Sequence, residues 1–265
     1  IDRSRGLGDV YKRQHLALNG FTNLELLTAL GDDIKGRAII EFCDKLGIIT
    51  DNIYVCNDTE TDSYLAIEDI QGLKAAIAHI FNVEEFGDRI LGPLENGAVK
   101  TSSNPSHNLI VLDGNLSTSS LSKIAENKKF KNFDIRIASA SSSKAFRLKP
   151  FLSLPNATVY CNMAEAENLC NLSFKDTRQA STYLLKQGLG RAIVTNGGKQ
   201  ICASSIYHEP ITISPPKVKN IKHITGAGDY FVACHIANEI NQIPKEISLL
   251  KAAESASKYV ETEIK

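Results

Sequence analysis

Apolar and polar positions along the chain follow two alternating periods. Short apolar runs, such as the one at residues 109–113 (LIVLD), are typical of strands buried on both faces of a sheet. Apolar positions three and four residues apart, as in residues 36–46, predict helices. These patterns predict strands at residues 24–28, 109–113, 134–138, 158–161 and 191–195. They predict helices at residues 16–19 (the tail of one), 36–46, 118–127 and 177–187, and from residues 163, 227 and 245.

Other segments alternate apolar and polar residues or are short and apolar, which indicates half-exposed strands. Residues 52–56, 63–68 and 75–81 are predicted to form a small separate sheet. Residues 200–204 and 211–214 are predicted to form an antiparallel hairpin at the edge of the main sheet. Strands that alternate with helices indicate an α/β fold, a doubly wound and mostly parallel sheet, here with a small β lid.

Ligands bind beyond the carboxyl ends of the strands in such sheets. Asp113, Asn162 and Thr195 follow predicted strands, and the turn at residues 226–229 precedes a predicted helix. We expect these positions to converge on one crevice.

Composition narrows the function classes. Apolar residues make up 43% of the 265 residues, and 30 basic residues balance 30 acidic ones. There is no basic field to favour nucleic acid, and no apolar run approaches the length of a membrane span. The six cysteines are scattered, without a zinc or disulfide pattern, which favours a reducing compartment such as the cytoplasm.

The most informative motif is Ile224-Thr-Gly-Ala-Gly-Asp229, which opens an apolar helix. Glycines at a helix start let free N–H groups approach a negative charge, and Asp229 adds a carboxylate beside them. An anion site with a neighbouring base suits the transfer of a phosphoryl group to a hydroxyl. An ordinary loop-to-helix turn explains these six residues equally well when they are considered alone.

Asn162 and Glu165 lie one helical turn apart at a helix start. Both could face one metal ion, or Asn162 could cap the helix with Glu165 as its capping-box partner. Alone, the cap is the better interpretation. With Asp229 expected at the same sheet edge, we favour the metal site.

Three motifs in order resemble the ribokinase-like (pfkB-type) carbohydrate kinases over about residues 15–262. The motifs are Gly31-Asp-Asp33 with Gly36, Asn162-Met-Ala-Glu165, and the 224–229 motif. Within that family, four phrases are most similar to pseudouridine kinases: Thr61-Asp-Ser-Tyr-Leu65, Leu112-Asp-Gly-Asn-Leu116, residues 141–148 (SSSKAFRL) and residues 162–167 (NMAEAE).

The resemblance implies an ATP-dependent kinase for a sugar hydroxymethyl group, and for the subgroup the 5′-hydroxyl of pseudouridine. Asp229 matches the catalytic base, and Gly226, Ala227 and Gly228 match the anion hole. The other implied roles are nucleotide binding by Thr195, Gly197 and Thr225, Mg²⁺ binding by Asn162 and Glu165, nucleoside contacts by Asp33, Tyr64 and Asn115, and a lid formed by residues 52–81. The implied partner is a small sugar or nucleoside, and the exposed lid sheet suggests a homodimer.

The N-terminus departs from the family. Residues 1–14 (IDRSRGLGDVYKRQ) look like translated sequencing adapter, although a genuine N-terminal arm is the alternative. The family's first central strand and its Gly-Gly sugar-binding turn do not appear before His15. We therefore expect the chain as written to be poorly stable and nearly inactive, because a missing central strand leaves its neighbours unpaired.

Three further departures lie elsewhere. His223 stands where the family has an Asp of a monovalent-cation site, which leaves K⁺ activation doubtful. Gln200 replaces a glycine of the nucleotide loop, where a side chain can crowd the nucleotide. The sequence ends at Lys265, and from the resemblance we expect this end to fall short of the family's adenine-side end.

Two alternatives stay open at this point. One is another kinase of the family, of ribokinase or adenosine-kinase type. The other is a non-catalytic nucleotide-binding relative, which His223 and Gln200 support and the intact Asp229 argues against. A nicotinamide-dependent oxidoreductase is disfavoured because no G-x-G-x-x-G follows a strand.

Overall fold

The computed structural model describes residues 2–3, 23–69, 72–99 and 108–262. These residues group into two compact units. The first unit runs up to Val99 and resumes at Pro216, and the second ends at Pro215. The predicted helix tail at residues 16–19 lies outside the described residues. The assignments of residues 1–14 as non-native and of residues 15–265 as one kinase domain stay predictions.

The second unit contains a six-stranded sheet in which strands that follow one another along the chain lie next to one another. Strands β6 (Leu109–Asp113), β7 (Asp134–Ala138), β8 (Ala157–Asn162) and β9 (Arg191–Thr195) are parallel. Strands β10 (Ile201–Ser205) and β11 (His208–Ile213) continue the sheet as the predicted antiparallel hairpin. All four predicted parallel strands of this sheet are thus confirmed within a residue or two of their ends.

Helices and 3₁₀ segments connect these strands. Thr118–Glu126 follows β6 and is capped by the Ser117 side chain, and Met163–Cys170 and Thr177–Lys186 lie between β8 and β9. The 3₁₀ segments are Lys128–Phe130 and Ser142–Phe151. The prediction that β6 is buried on both faces is wrong: only Leu112 is buried there, because β6 stands at one end of the sheet order.

The part of the first unit that the structure describes contains two smaller sheets. Strand β2 (Ala29–Gly31) pairs in parallel with β3 (Tyr54–Cys56). Strands β4 (Ser63–Asp69) and β5 (Gly72–His79) form an antiparallel hairpin, and β1 (Asp2–Arg3) adds to the edge of β4. The expectation that residues 52–56 belong to the small sheet of the hairpin is therefore wrong, because β3 takes its hydrogen bonds from β2.

Residues 24–28 do not form the predicted strand. They contribute an isolated bridge between Glu25 and Ile49, and the continuous ladder begins only at Ala29. Leu26 of this segment is nevertheless buried. It packs in a core cluster with Leu30, Ile48 and two residues of the helix Ile34–Lys45, Ile39 and Cys43.

The described residues of the first unit form four more helices. They are Asn82–Glu85, Gly87–Asn96, Ala227–Ile240 and Lys245–Glu261. The start of Asn82–Glu85 is held by the buried carboxylate of Asp62, which accepts hydrogen bonds from the N–H groups of Phe81, Asn82 and Val83. The base of the β4–β5 hairpin is thereby fixed to the helix that follows it. Among the described residues, no helix combines the length and the apolar character needed to cross a bilayer.

Candidate active site

The turn before the helix Ala227–Ile240 has the geometry of an anion site. Gly226 is the N-cap and has φ +93°, a conformation that side chains disfavour. Gly228 lies in the first helical turn, where N–H groups have no helical acceptor, and a Cβ built on Gly228 would meet no atom within 4 Å. Asp229 follows it, half-buried, in the same turn. Donors at the positive end of a helix dipole, next to a carboxylate, can bind an anion and accept a proton.

Polar residues gather at the carboxyl edge of the parallel sheet in the second unit. Asn162 and Thr195 are direct partners in the register of β8 and β9, and Asp113 ends β6 two strands further along. Asp113, Asn162 and Thr195, three of the positions expected in one crevice, therefore lie at the same edge of the sheet. The convergence of the 226–229 turn on the same crevice stays a prediction, since that turn belongs to the other compact unit.

Asn162 and Glu165 form a complete capping box. The Asn162 Oδ1 accepts from the Glu165 N–H at 3.0 Å, and the Glu165 Oε2 accepts from the Asn162 N–H at 2.8 Å. Asn162 is exposed and Glu165 is buried. As metal ligands, the two side chains offer one carboxylate and one amide oxygen. This small set suits Mg²⁺, which keeps part of its water shell and also binds phosphate. The cap is therefore formed, and the metal role stays a prediction.

The loop after β9 is short and open. Thr195 is half-buried, Gly197 is exposed with φ +53°, and a Cβ on Gly197 would meet no atom within 4 Å. The loop closes through a hydrogen bond from the Lys199 N–H to the Asn196 carbonyl at 2.9 Å. Gln200, the residue expected to crowd a nucleotide, is exposed.

Asn115 sits in a loop with two cations. Its N–H donates to Asp113 Oδ1 at 2.8 Å, and its Oδ1 accepts from Lys144 Nζ at 3.0 Å. Arg147 donates to the Asn115 carbonyl at 2.9 Å. Asp113 thus binds the main-chain amide of a loop residue. Lys144 and Arg147 were not among the predicted site residues, although both lie in the SSSKAFRL phrase that carries part of the resemblance.

Asp33 acts as a structural cap. Its Oδ1 accepts from the Gly36 N–H and from the Thr61 hydroxyl, both at 2.7 Å, and its Oδ2 accepts from the Thr61 N–H at 2.8 Å. Burial raises the pKa of Asp33, but the hydrogen bonds from Gly36 and Thr61 outweigh it and hold that pKa below its usual value. Thr61, which the sequence did not reveal as a partner, ties the start of the helix Ile34–Lys45 to the base of the hairpin.

Tyr64 is buried in β4, opposite Ala78 of β5. This placement fits a packed hairpin residue, and its predicted contact with a nucleoside stays a prediction.

Comparisons with known proteins identify the family. The profile of the pfkB family carbohydrate kinases matches residues 14–263. Pseudouridine kinase of Escherichia coli (strain K12) is 25% identical over 223 residues, which cover 83% of this chain and 68% of that protein.

Solved structures of the same fold are similar over nearly the whole chain. Adenosine kinase from Schistosoma mansoni, in complex with 2-fluoroadenosine, has a TM-score of 0.79 at 18% identity, covering 97% of this chain and 78% of that one. Ribokinase of Arabidopsis thaliana, complexed with ribose and ATP, has a TM-score of 0.73 at 20% identity, covering 95% and 81%. The predicted fold class, a ribokinase-like doubly wound and mostly parallel sheet, is confirmed, and the lid role of the small hairpin sheet stays a prediction. The chain belongs to the pfkB family of carbohydrate kinases, and it is a phosphotransferase whose acceptor is an alcohol group of a sugar or nucleoside.

Proposed function

We propose that the chain transfers the γ-phosphoryl group of Mg-ATP to the 5′-hydroxyl of a nucleoside, with pseudouridine as the acceptor. The observation that carries this proposal is the turn at Gly226, whose positive φ opens a helix with Asp229 in its first turn. The 25% identity to a pseudouridine kinase favours the subgroup. The reaction would take place in the cytoplasm, where the scattered free cysteines stay reduced.

Asp229 is the proposed base. As the acceptor oxygen attacks the γ-phosphorus, the acceptor hydroxyl loses its proton to the Asp229 carboxylate, and the bond from that phosphorus to the bridging oxygen of ADP breaks. The N–H groups of Gly226, Ala227 and Gly228 stabilise the charge on the transferring group. These donors are main-chain groups at a helix start, and the Ala227 N–H, which donates to the Ile224 carbonyl at 3.1 Å, would be shared between that carbonyl and the transferring group.

The remaining residues have binding roles in the proposal. Thr225, Thr195 and Gly197 bind the nucleotide phosphates. Asn162 and Glu165 hold Mg²⁺ through its water shell, and that ion, when bound, supplies positive charge to the phosphates. Asn115, with Lys144 beside it, contacts the nucleoside together with Tyr64, and the hydrogen bonds of Asp33 favour an indirect role for that residue.

The β4–β5 hairpin is the proposed lid, and its exposed face is the proposed dimer contact. Leu65 and Ile77 are direct cross-strand partners, and they are 38% and 68% exposed, with Ile67 beside them at 56%. An apolar sheet surface of this kind is stabilised when a second copy covers it.

The test is phosphoryl transfer from Mg-ATP to pseudouridine, uridine, adenosine and ribose. It is run on the chain and on the chain extended with its upstream genomic coding sequence, each with an Asp229→Asn variant. Transfer to pseudouridine that Asp229→Asn abolishes supports the proposal. Preferential transfer to ribose or adenosine would reassign the acceptor, and ATP binding without transfer would favour the non-catalytic relative.

A further inference from the structure

Tyr259, in the last turn of the helix Lys245–Glu261, contacts the proposed anion site from behind. Its hydroxyl donates to the Thr225 carbonyl at 3.2 Å. Its ring stacks on Tyr230, with centroids 4.5 Å apart and planes inclined by 27°. The same ring meets His223 edge-on, also at 4.5 Å. Tyr259 therefore contacts residues that precede and residues that follow the turn Gly226-Ala227-Gly228.

The packing of the turn is asymmetric. A Cβ built on Gly226 would lie 2.7 Å from the Tyr259 hydroxyl oxygen, closer than a Cβ carbon approaches a non-bonded oxygen. A Cβ built on Gly228 would meet no atom within 4 Å. One side of the turn is thus in contact with Tyr259, while space is left beside the N–H groups of the first helical turn.

The end of the same helix also holds the loop that leads into the turn. The Val260 carbonyl accepts from the Lys222 N–H at 2.9 Å, and the Glu261 carboxylate accepts from the Lys219 N–H at 2.7 Å. Three consecutive residues, Tyr259 to Glu261, therefore fix the approach of the chain to Gly226.

The hydrogen bond to Thr225 has a direct consequence for the anion site. The Thr225 carbonyl and the Gly226 N–H belong to one planar trans peptide, in which C=O and N–H point in opposite directions. A carbonyl held toward Tyr259 therefore aims the Gly226 N–H away from Tyr259. Donors fixed before the reaction begins are the ones that stabilise a transition state most effectively.

We propose that Tyr259 is a positioning residue for phosphoryl transfer: its hydroxyl holds the Thr225–Gly226 peptide in the orientation that aims the Gly226 N–H at the transferring group. This inference rests on the proposed function of the turn. Tyr259 does not contact the reacting atoms, and it acts only through the peptide that it holds.

Tyr259→Phe isolates the hydroxyl, because the ring and its contacts with Tyr230 and His223 remain. We expect kcat to fall about five- to tenfold, the scale of one neutral hydrogen bond, with the KM values for Mg-ATP and acceptor unchanged. The melting temperature should match that of the control Tyr183→Phe, which removes a hydroxyl from a tyrosine whose ring packs at a tilt against Phe174 in the other unit. Hydrogen exchange of peptides that contain Gly226 to Asp229 should accelerate in Tyr259→Phe alone.

The outcomes separate the two proposals. Unchanged kcat and unchanged exchange in Tyr259→Phe would overturn the positioning role. A lower melting temperature with kcat retained would overturn it too, because a purely structural residue gives that result. If the wild-type chain extended with its upstream genomic coding sequence transfers phosphate to no acceptor, the proposed function fails, and the exchange rates alone then decide whether Tyr259 fixes the turn.

Discussion

The side chains of Asn162 and Glu165 each accept a hydrogen bond from the other residue's main-chain N–H group, at 3.0 and 2.8 Å. Glutamine closes a capping box as well as glutamate does, whereas a neutral amide is a poorer partner for Mg²⁺ and its waters. Glu165→Gln therefore separates the cap from the metal role.

We expect Glu165→Gln to leave the melting temperature nearly unchanged and to raise the Mg²⁺ concentration needed for half-maximal rate by about tenfold, as the loss of an outer-shell partner does. The measurement is a Mg²⁺ titration of the rate at fixed ATP. Glu167→Gln, on the same helix, is the control for loss of charge. An unaltered Mg²⁺ requirement would leave Glu165 with the capping role alone.

Asp229→Asn should lower kcat by about 10²- to 10⁴-fold, the range for loss of a general base. The fold should persist, because the residue is half-buried in a helical turn and asparagine has nearly the same shape. The matched control is Glu246→Gln, the first-turn acid of the next helix, which is exposed. Steady-state kinetics and circular dichroism check the prediction, and an active Asp229→Asn enzyme would remove Asp229 from the role of base.

Asp33 should make stability depend on pH. Its folded-state pKa lies below the ordinary value, so its contribution is complete above the unfolded pKa of about 3.9 and is lost as the pH falls through the folded-state pKa. The advantage of wild type over Asp33→Asn in the free energy of unfolding should therefore shrink from about pH 6 to about pH 3. Urea unfolding across this range measures it. Asp58→Asn, at an exposed site, is the control, and an advantage that grows toward acid would contradict the assignment.

The enzyme should not require K⁺. His223 is 3% exposed and packs against Tyr259, and an imidazole supplies neither the negative charge nor the oxygen ligands of the aspartate that the family has there. Exchange of KCl for NaCl at constant ionic strength should leave kcat and KM unaltered. Activation that follows the K⁺ concentration and saturates would show that a cation site exists despite His223.

The lid hairpin should mediate a homodimer. Ile77→Lys places a charge on the exposed apolar face without disturbing a buried position, and we expect the protein to become monomeric. Light scattering after gel filtration gives the mass. Ile206→Lys, at an exposed turn between β10 and β11, should leave the mass unchanged. A monomeric wild-type protein at micromolar concentration would rule out this contact as a dimer interface.

The sequence by itself determined the elements whose signals are local. The apolar runs of β6, β7 and β9 and the starts of the helices at Met163, Ala227 and Lys245 were predicted at the observed residues, because side-chain periodicity and capping act within a few positions. The motif at residues 224–229 likewise indicated an anion site before any contact was known.

Tertiary structure decided what depends on distant partners. Strand β3 resembled the hairpin strands in composition, yet β2 supplies its hydrogen bonds. Thr61 binds Asp33 from 28 residues away, and Tyr259 reaches Thr225 from 34 residues away. No local pattern specifies such pairs, because each requires the chain to bring two separate segments together, and the gain in hydrogen bonding and burial is realised only in the folded protein.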